Sequence, residues 1–168
     1  MKRTALLVID PQNDYFEGGL FPLWNTQDTL ETILKAITHA QANAIPIVLI
    51  QHVADSSLGV APFFNPGTMG VEIHPQVLAL APNATVVVKH FADAFEQTEL
   101  NAVLSALKVE RLLLCGMMTQ NCVTHTALSK AAEEYDVKVI GEACTTREEM
   151  LHLERSNATF PSVCRAFQ

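Results

Sequence analysis

Three residues of the chain have side chains that could together perform chemistry on an acyl group: Asp10, Lys89 and Cys122. A cysteine attacks a carbonyl carbon as a thiolate, and a nearby ammonium group and a helix N-terminus both favour that anion. A carboxylate can accept the thiol proton and later deliver it to a leaving amine. An aspartate, a lysine and a cysteine that meet in one place are therefore typical of acyl transfer through a thioester.

Each of these residues also has a simpler interpretation when it is taken alone. Asp10 fits a turn or a helix cap, and Lys89 could extend from the end of a strand into solvent. Cys122 could be a small buried apolar residue. The remaining cysteines are interpreted as structural: Cys115, Cys144 and Cys164.

The predicted elements place the three residues at one edge of a sheet. Six apolar, strand-like runs begin with "TALLVID" and end with "PSVCRAF", and segments with a helical spacing of apolar residues separate them. This alternation predicts an α/β fold with three layers, α/β/α, around a parallel sheet. Asp10 ends the first run, Lys89 ends the third, and Cys122 follows the fourth near the start of a helix. In open sheets of this kind, ligands bind beyond the carboxyl ends of the strands.

The size and composition of the chain favour one domain, residues 1–168, with a large buried core. Apolar residues make up 49% of the chain and charged residues only 17%, so the expected burial includes a subunit interface. The net charge of −7 argues against nucleic acid as a partner, because nucleic acid needs a basic face. No apolar run is long enough for a membrane span, so no membrane contact is expected.

The N-terminus and the cysteine spacing predict a cytoplasmic protein. The segment "MKRTALLVIDPQND" starts like a secretory signal peptide, but its short apolar run ends in Asp10 without a cleavage site. The four cysteines lack C-x-x-C spacing, and a chain of this size and composition does not require a disulfide framework.

The sequence resembles the isochorismatase-like hydrolases, a family also called cysteine hydrolases that includes nicotinamidases and N-carbamoylsarcosine amidohydrolase. Four blocks carry the resemblance in the family's order: "LLVIDPQNDYFEGGL", "PGTMGVEIHPQV", "VVVKHFADAFEQTEL" and "LLLCGMMTQNCVTHTAL". They cover most of the chain, and the fit becomes loose beyond about Cys144. The resemblance implies a six-stranded parallel sheet of order 3-2-1-4-5-6.

The resemblance also implies roles for particular residues. The family's catalytic aspartate, lysine and cysteine fall on Asp10, Lys89 and Cys122. A cis peptide falls on Met117–Met118, and the backbone N–H groups of Met118 and Cys122 would form the oxyanion hole. The implied strand order separates the first and third strands by two spacings, roughly 9–10 Å. Lys89 must therefore lean over the second strand to reach Asp10, or the strands must splay.

Aromatic residues are the candidates for contact with substrate: Tyr15, Trp24, Phe63 and Phe91. Tyr15 stands where the family usually has a phenylalanine, and the other three lie in loops after strand ends, as does Phe64. A small-molecule site is usually an apolar pocket with a few polar groups. Aromatic residues in loops also often pack without touching a ligand.

The sequence departs from the metal-dependent nicotinamidases of this family. In "VLIQHVADSS", Ile50 falls at the position of the metal-binding aspartate and His52 at that of one histidine, while Phe63 replaces another histidine. One imidazole cannot hold a catalytic metal, which normally needs three protein ligands. We therefore predict no metal and no other cofactor. Glu142, where many relatives have an aspartate, is assigned no catalytic role.

The leading hypothesis is a hydrolase that acts on a small amide, ureido or related C–N substrate through a thioester on Cys122. One alternative is hydrolysis of an isochorismate-like vinyl ether with Asp10 as the acid and Cys122 as a bystander. Another is a ligand-binding or interaction protein that keeps the fold without turnover. The expected partners are a small-molecule substrate and further copies of the chain, in a homodimer or a larger homo-oligomer.

Overall fold

The computed structural model describes residues 2–152 and contains one parallel sheet of five strands. The strands are β1 (Thr4–Ile9), β2 (Ile47–His52), β3 (Thr85–Lys89), β4 (Arg111–Met117) and β5 (Asp136–Thr145). Their order in the sheet is β3-β2-β1-β4-β5. This confirms the predicted parallel α/β arrangement and the first five positions of the predicted order. The sixth strand, predicted at "PSVCRAF", lies outside the described residues.

Four α-helices connect these strands: α1 (Thr26–Ala42), α2 (Pro75–Leu80), α3 (Leu100–Ala106) and α4 (Thr124–Ala127). Helix α1 has the apolar spacing that the sequence predicts, and it packs against β1, β2, β4 and β5. Short 3₁₀ turns occupy Asn13–Tyr15, Ser56–Leu58 and Lys130–Glu134, and residues 149–152 are helical. None of the described helices has the length and apolarity that crossing a membrane requires.

The core is centred on β1, in which the five residues 5–9 are at most 1% exposed. A strand that is buried on both faces reads as a continuous apolar run, as "ALLVI" does. Strand β3 differs from this expectation, because Val86 is 43% exposed and Val88 is 46% exposed. Side chains alternate between the faces of a strand, so one face of this edge strand is uncovered.

The strand register brings four chain segments to the same edge of the sheet. Ile9 is paired with Ile50 on one side and with Gly116 on the other, and His52 is paired with Lys89. Gly116 has a φ of 119°, and a Cβ at this position would lie 2.0 Å from the carbonyl oxygen of Ile9. Only glycine therefore allows β4 to approach β1 this closely where the strands end.

Candidate active site

The ammonium group of Lys89 lies at the centre of a buried cluster. Its Nζ is 2.9 Å from Oδ2 of Asp10 and 3.2 Å from Sγ of Cys122. The same nitrogen lies 2.8 Å from Nδ1 of His52 and donates to the carbonyl oxygen of Phe91 at 3.1 Å. The structure thus places the three residues of the predicted catalytic set, which are 112 positions apart in sequence from first to last, within one hydrogen-bonded group.

The lysine reaches this position by leaning over the end of β2. Lys89 is the last residue of β3, and its register partner on β2 is His52. Its side chain is completely buried and extends past this neighbour to Asp10, which follows β1. The strand spacing that separates β3 from β1 is therefore bridged by the length of one lysine side chain.

Asp10 is fixed by its backbone and has one carboxylate oxygen without a partner. Its N–H donates to the carbonyl of Ile50 at 3.0 Å, and its own carbonyl accepts from the N–H of Gln12 at 2.8 Å. Its φ of 50° lies in the left-handed region, which aspartate tolerates better than most residues. Oδ2 is paired with Lys89, whereas Oδ1 has no hydrogen-bond partner within residues 2–152. Oδ1 is therefore available to accept a proton.

The electrostatics of the cluster favour an ammonium on Lys89 and a neutral thiol on Cys122. Burial alone would lower the pKa of Lys89, but the adjacent Asp10 and Cys122 outweigh burial and raise it. Burial and the neighbouring Asp10 raise the pKa of the Cys122 thiol, and the opposing effect of Lys89 is smaller. A thiolate beside the Asp10 carboxylate would place two buried anions next to one cation, which disfavours the thiolate before substrate binds.

Cys122 lies in a π-helical turn, Thr119–Val123, that joins β4 to α4. It is 2% exposed. The carbonyl of Met118 accepts from the N–H groups of Asn121 and Val123, at 3.0 and 3.2 Å, which holds this turn against the end of the strand. The Met117–Met118 peptide is cis. The helix that the sequence predicts after Cys122 contains only four α-helical residues, so a long helix dipole does not act on the sulfur.

A cavity of about 160 Å³ opens beside the cluster. Its lining residues come from the loops after β1, β2 and β4: Tyr15, His52, Ala54, Ala61, Pro62, Phe63, Phe64, Asn121 and Cys122. Drug-sized ligands occupy pockets of roughly 300–1,000 Å³, so this cavity suits a smaller molecule. Of the four aromatic residues predicted to contact substrate, Tyr15 and Phe63 line this cavity, whereas Trp24 and Phe91 are not among its lining residues.

The aromatic wall of the cavity is held by a buried carboxylate. Oδ2 of Asp14 accepts from the N–H of Phe64 at 2.7 Å, and Oδ1 accepts from the N–H of Leu20 at 3.1 Å. The ring centroid of Tyr15 lies 4.6 Å from that of Phe64 and 5.5 Å from that of Phe63. Asp14 therefore ties the segment after β1 to the long loop after β2 and fixes the shape of the cavity.

The residues present do not fit a catalytic metal. Donor atoms of Asp10, His52 and Cys122 lie within 4.8 Å of one another, a spacing that could suit an ion. However, the Lys89 ammonium is within hydrogen-bonding distance of all three, and a second cation there would meet its repulsion. Ile50 offers no ligand atom and is fully buried in β2.

The sequence places His52 at the position of one metal-binding histidine of the nicotinamidases and indicates no role for it in this chain, whereas the structure places it in the cluster. Its side chain contacts Lys89 and lines the cavity. One signal was available, because His52 ends the second apolar run just as Asp10 and Lys89 end the first and third. Strands of a parallel sheet end at a common edge, so this position also predicts a place at the site.

The fold and the site together define an α/β protein in which a cysteine, a lysine and an aspartate meet at the carboxyl edge of a parallel sheet. The chain belongs to the isochorismatase family of hydrolases, because the family model for the isochorismatase domain matches residues 4–165.

Several relatives support this membership. The uncharacterized isochorismatase family protein YddQ of Bacillus subtilis is 39% identical over 143 residues, which are 85% of this chain and 78% of YddQ. The secreted isochorismatase effector Isc1 of Verticillium dahliae is 31% identical over 145 residues, 86% of this chain and 74% of Isc1. The ureidoacrylate amidohydrolase RutB of Acinetobacter baylyi is 27% identical over an alignment of 173 positions, gaps included, that covers 85% of this chain and 71% of RutB.

A solved structure of the same family has a similar fold. The crystal structure of an isochorismatase family protein from Desulfovibrio vulgaris matches with a TM-score of 0.84 and 28% sequence identity. The match covers 94% of this chain and 89% of that protein.

Proposed function

We propose that this isochorismatase-family protein is a cysteine-dependent hydrolase of a small amide, ureido or related C–N substrate. The observation that carries the proposal is the position of the Lys89 ammonium, 2.9 Å from Asp10 and 3.2 Å from Cys122. A nucleophile, a proton acceptor and a cation in mutual contact are the parts that acyl transfer to sulfur requires.

In the first half of the reaction, the Cys122 thiol proton moves to Asp10 while Sγ attacks the carbonyl carbon of the substrate. The C–N bond then breaks, and the proton on Asp10 goes to the leaving nitrogen. In the second half, Asp10 takes a proton from water, and the resulting hydroxide attacks the thioester carbon. The C–S bond breaks, the proton on Asp10 returns to the Cys122 sulfur, and the acid product leaves.

Lys89 lies next to the negative charge both before and after the proton transfer. When the thiol proton moves to Asp10, the negative charge moves from oxygen to sulfur, and both atoms lie within 3.2 Å of Nζ. The net charge of the cluster therefore does not change in the proton transfer, which avoids the cost of creating a new buried ion. In the proposal, the N–H groups of Met118 and Cys122 stabilise the developing oxyanion.

The size and walls of the cavity support a small substrate with an apolar or planar part. The volume is about 160 Å³, and three aromatic rings line it, those of Tyr15, Phe63 and Phe64. The names of relatives support C–N cleavage: a nicotinamidase of Escherichia coli, the ureidoacrylate amidohydrolase RutB and a streptothricin hydrolase of Streptomyces noursei.

A screen of small amides and ureido compounds for released ammonia tests the proposal. We expect turnover with at least one compound and its loss, by about a thousandfold or more, in Cys122→Ala. Cys115→Ala is the matched control, because Cys115 is a fully buried cysteine of β4. If Cys122→Ala and the native chain turned over the substrate equally fast, Cys122 could not be the nucleophile.

A second candidate is hydrolysis of a vinyl ether such as isochorismate, which the 31% identity to the isochorismatase effector Isc1 favours. Asp10 would then protonate the ether, and the sulfur would take no part. Isochorismate cleavage that survives both Cys122→Ala and Cys122→Ser, but not Asp10→Asn, would establish this route instead of the thioester.

A further inference from the structure

We propose that His52 determines substrate specificity by donating a hydrogen bond from Nε2–H to the acyl part of the substrate. The site would then prefer substrates that carry a hydrogen-bond acceptor, such as a second carbonyl or a carboxylate, a few bonds from the scissile carbonyl carbon. This inference rests on the proposed function and adds the substrate feature that the cavity recognises.

The contact with Lys89 fixes the tautomer of the His52 ring. Nδ1 lies 2.8 Å from Nζ of Lys89. A lysine ammonium has three donors and no acceptor, so Nδ1 must be the acceptor in this hydrogen bond. In a neutral imidazole the single proton is then on Nε2. Lys89 thus determines that the other end of the ring is a donor.

The surroundings also keep the ring neutral. Burial and the Lys89 ammonium lower the pKa of His52 to about 4; Asp10 opposes this effect and His90 adds to it. At neutral pH the ring therefore carries no charge, and Nε2–H is a neutral donor. Such a donor can bind a carbonyl or carboxylate without bringing a second cation next to Lys89.

The backbone of His52 is clamped from both sides by Gln12. The Gln12 side-chain oxygen accepts from the N–H of His52 at 2.8 Å, and its Nε2 donates to the carbonyl of His52 at 2.8 Å. Gln12 is itself completely buried and also donates to Val71 at 2.7 Å. A group that discriminates between substrates must be held in place, and this clamp fixes the start of the histidine side chain.

The His52 side chain borders the cavity, and its Nε2 is the ring nitrogen that Lys89 leaves unbound. His52 is one of the lining residues, and no hydrogen-bond partner of its Nε2 occurs within residues 2–152. Among these residues, only Asp10 has side-chain nitrogen or oxygen atoms that are both fully buried and without a hydrogen-bond partner. Because Nε2 of His52 has no partner, it is therefore not fully buried. A fixed donor that meets open space in a cavity is placed to bind a ligand.

His52 and Cys122 line the same cavity, so the His52 ring lies beside the acyl part of a substrate bound to the sulfur. One nitrogen of this ring is within 4.8 Å of a carboxylate oxygen of Asp10 and of the Cys122 sulfur. The rest of the wall beside the sulfur is mostly apolar, with Tyr15 and Asn121 as the other polar side chains. A substrate acceptor that meets Nε2–H gains a hydrogen bond, and a substrate without one leaves a donor unpaired.

Alkylation of Cys122 tests the inference without requiring an amide substrate. Bromoacetamide has a carbonyl oxygen two bonds from the carbon that sulfur attacks, whereas allyl bromide has the same leaving group and no acceptor. The measured quantity is the ratio of the two alkylation rates at Cys122, followed by mass spectrometry. This ratio cancels changes in the nucleophilicity of the sulfur.

Two variants of His52 distinguish the contribution of the Nδ1 acceptor from that of the Nε2 donor. His52→Asn keeps an acceptor near the position of Nδ1 for Lys89 and removes the donor at Nε2, and we expect the ratio to fall roughly 2- to 10-fold. His52→Gln reaches the position of Nε2 with an amide donor, and we expect it to restore part of the ratio. An unchanged ratio in His52→Asn would overturn the inference.

A measurement on the native protein covers the case in which the variants do not fold. Nitrogen–proton correlation spectra should show the His52 proton on Nε2 between pH 5 and pH 8, as the contact with Lys89 requires. A proton on Nδ1 would overturn the inference. The proposed function fails separately, through equal amide turnover by Cys122→Ala and the native chain, and that result leaves the alkylation ratio interpretable.

Discussion

The ammonium nitrogen of Lys89 lies 2.9 Å from Oδ2 of Asp10, although β2 separates the two strands that position them. Both side chains are completely buried. A buried ion pair is not in itself a large source of stability, but removal of one partner leaves an uncompensated charge in the core. The pair therefore links the integrity of the fold to the chemistry of the site.

Replacement of Lys89 by methionine should destabilise the protein by about 3–5 kcal/mol, because it leaves the Asp10 carboxylate buried and unpaired. Urea unfolding measures this loss. The double variant Asp10→Asn with Lys89→Met should recover part of the stability but no activity. Lys130→Met is the control, because Lys130 is exposed. A single variant as stable as the control would contradict the ion-pair argument.

The sequence was sufficient to predict the strands and the three reactive residues. All five described strands overlap the apolar runs of the sequence. Burial on both faces explains this for a central strand such as β1, whereas β3 is apolar although one of its faces is uncovered. The side chains of Asp10, Lys89 and Cys122 meet because parallel strands end at one edge. Pattern and topology therefore predict that these three side chains lie near one another.

The electrostatic state of the site and the contact between His52 and Lys89 could not be predicted from the pattern. Whether Cys122 rests as a thiol depends on its distances from Asp10 and Lys89, and residue types do not give distances. The contact of Lys89 with His52 depends on the path of one flexible side chain over β2. Interactions of this kind between side chains appear only once the register is known.

Asp10→Asn should lower the pKa of the Cys122 thiol while abolishing amide turnover. The Asp10 carboxylate raises that pKa and Lys89 lowers it. With an uncharged asparagine at position 10, the effect of Lys89 on the thiol is no longer opposed by a neighbouring carboxylate. The midpoint of the pH profile for alkylation by bromoacetamide should therefore move to lower pH. Asp14→Asn serves as the comparison, since Asp14 is a buried carboxylate bound to Phe64 and Leu20. A midpoint that moves up in Asp10→Asn would mean that Asp10 promotes the thiolate at rest.

His52 should make the protein less stable as the pH falls from about 6.5 towards 4. Its pKa is about 4 in the folded protein and 6.5 in its ordinary state, so between these values the unfolded chain binds a proton that the folded chain does not. Stability is then complete above pH 6.5 and is lost on acidification, with a slope of up to about 1.4 kcal/mol per pH unit. The free energy of unfolding of the native chain minus that of His52→Asn isolates this slope. A flat difference over this range would show that His52 titrates normally.

The uncovered face of β3 should contribute to self-association. Val86 and Val88 are 43% and 46% exposed on the same face of this strand. We expect light scattering to give a mass of at least two chains, and the double change Val86→Lys with Val88→Lys to reduce it. Val60→Lys is the control, because Val60 is 94% exposed in a loop. An oligomer that persists in the β3 variant would place the interface elsewhere.

Gly116→Ala should damage both the fold and the site, whereas Gly59→Ala should not. Both glycines have positive φ, 119° and 96°, so both substitutions incur roughly 1–2 kcal/mol for the left-handed backbone. Only at Gly116 would the new Cβ meet backbone, 2.0 Å from the carbonyl oxygen of Ile9. Relief of that clash requires β4 to move away from β1 just before the turn that contains Cys122. Gly116→Ala should therefore lose several kcal/mol of unfolding free energy and most of its activity, and equal stability of the two variants in urea would show that the strands are not held this closely.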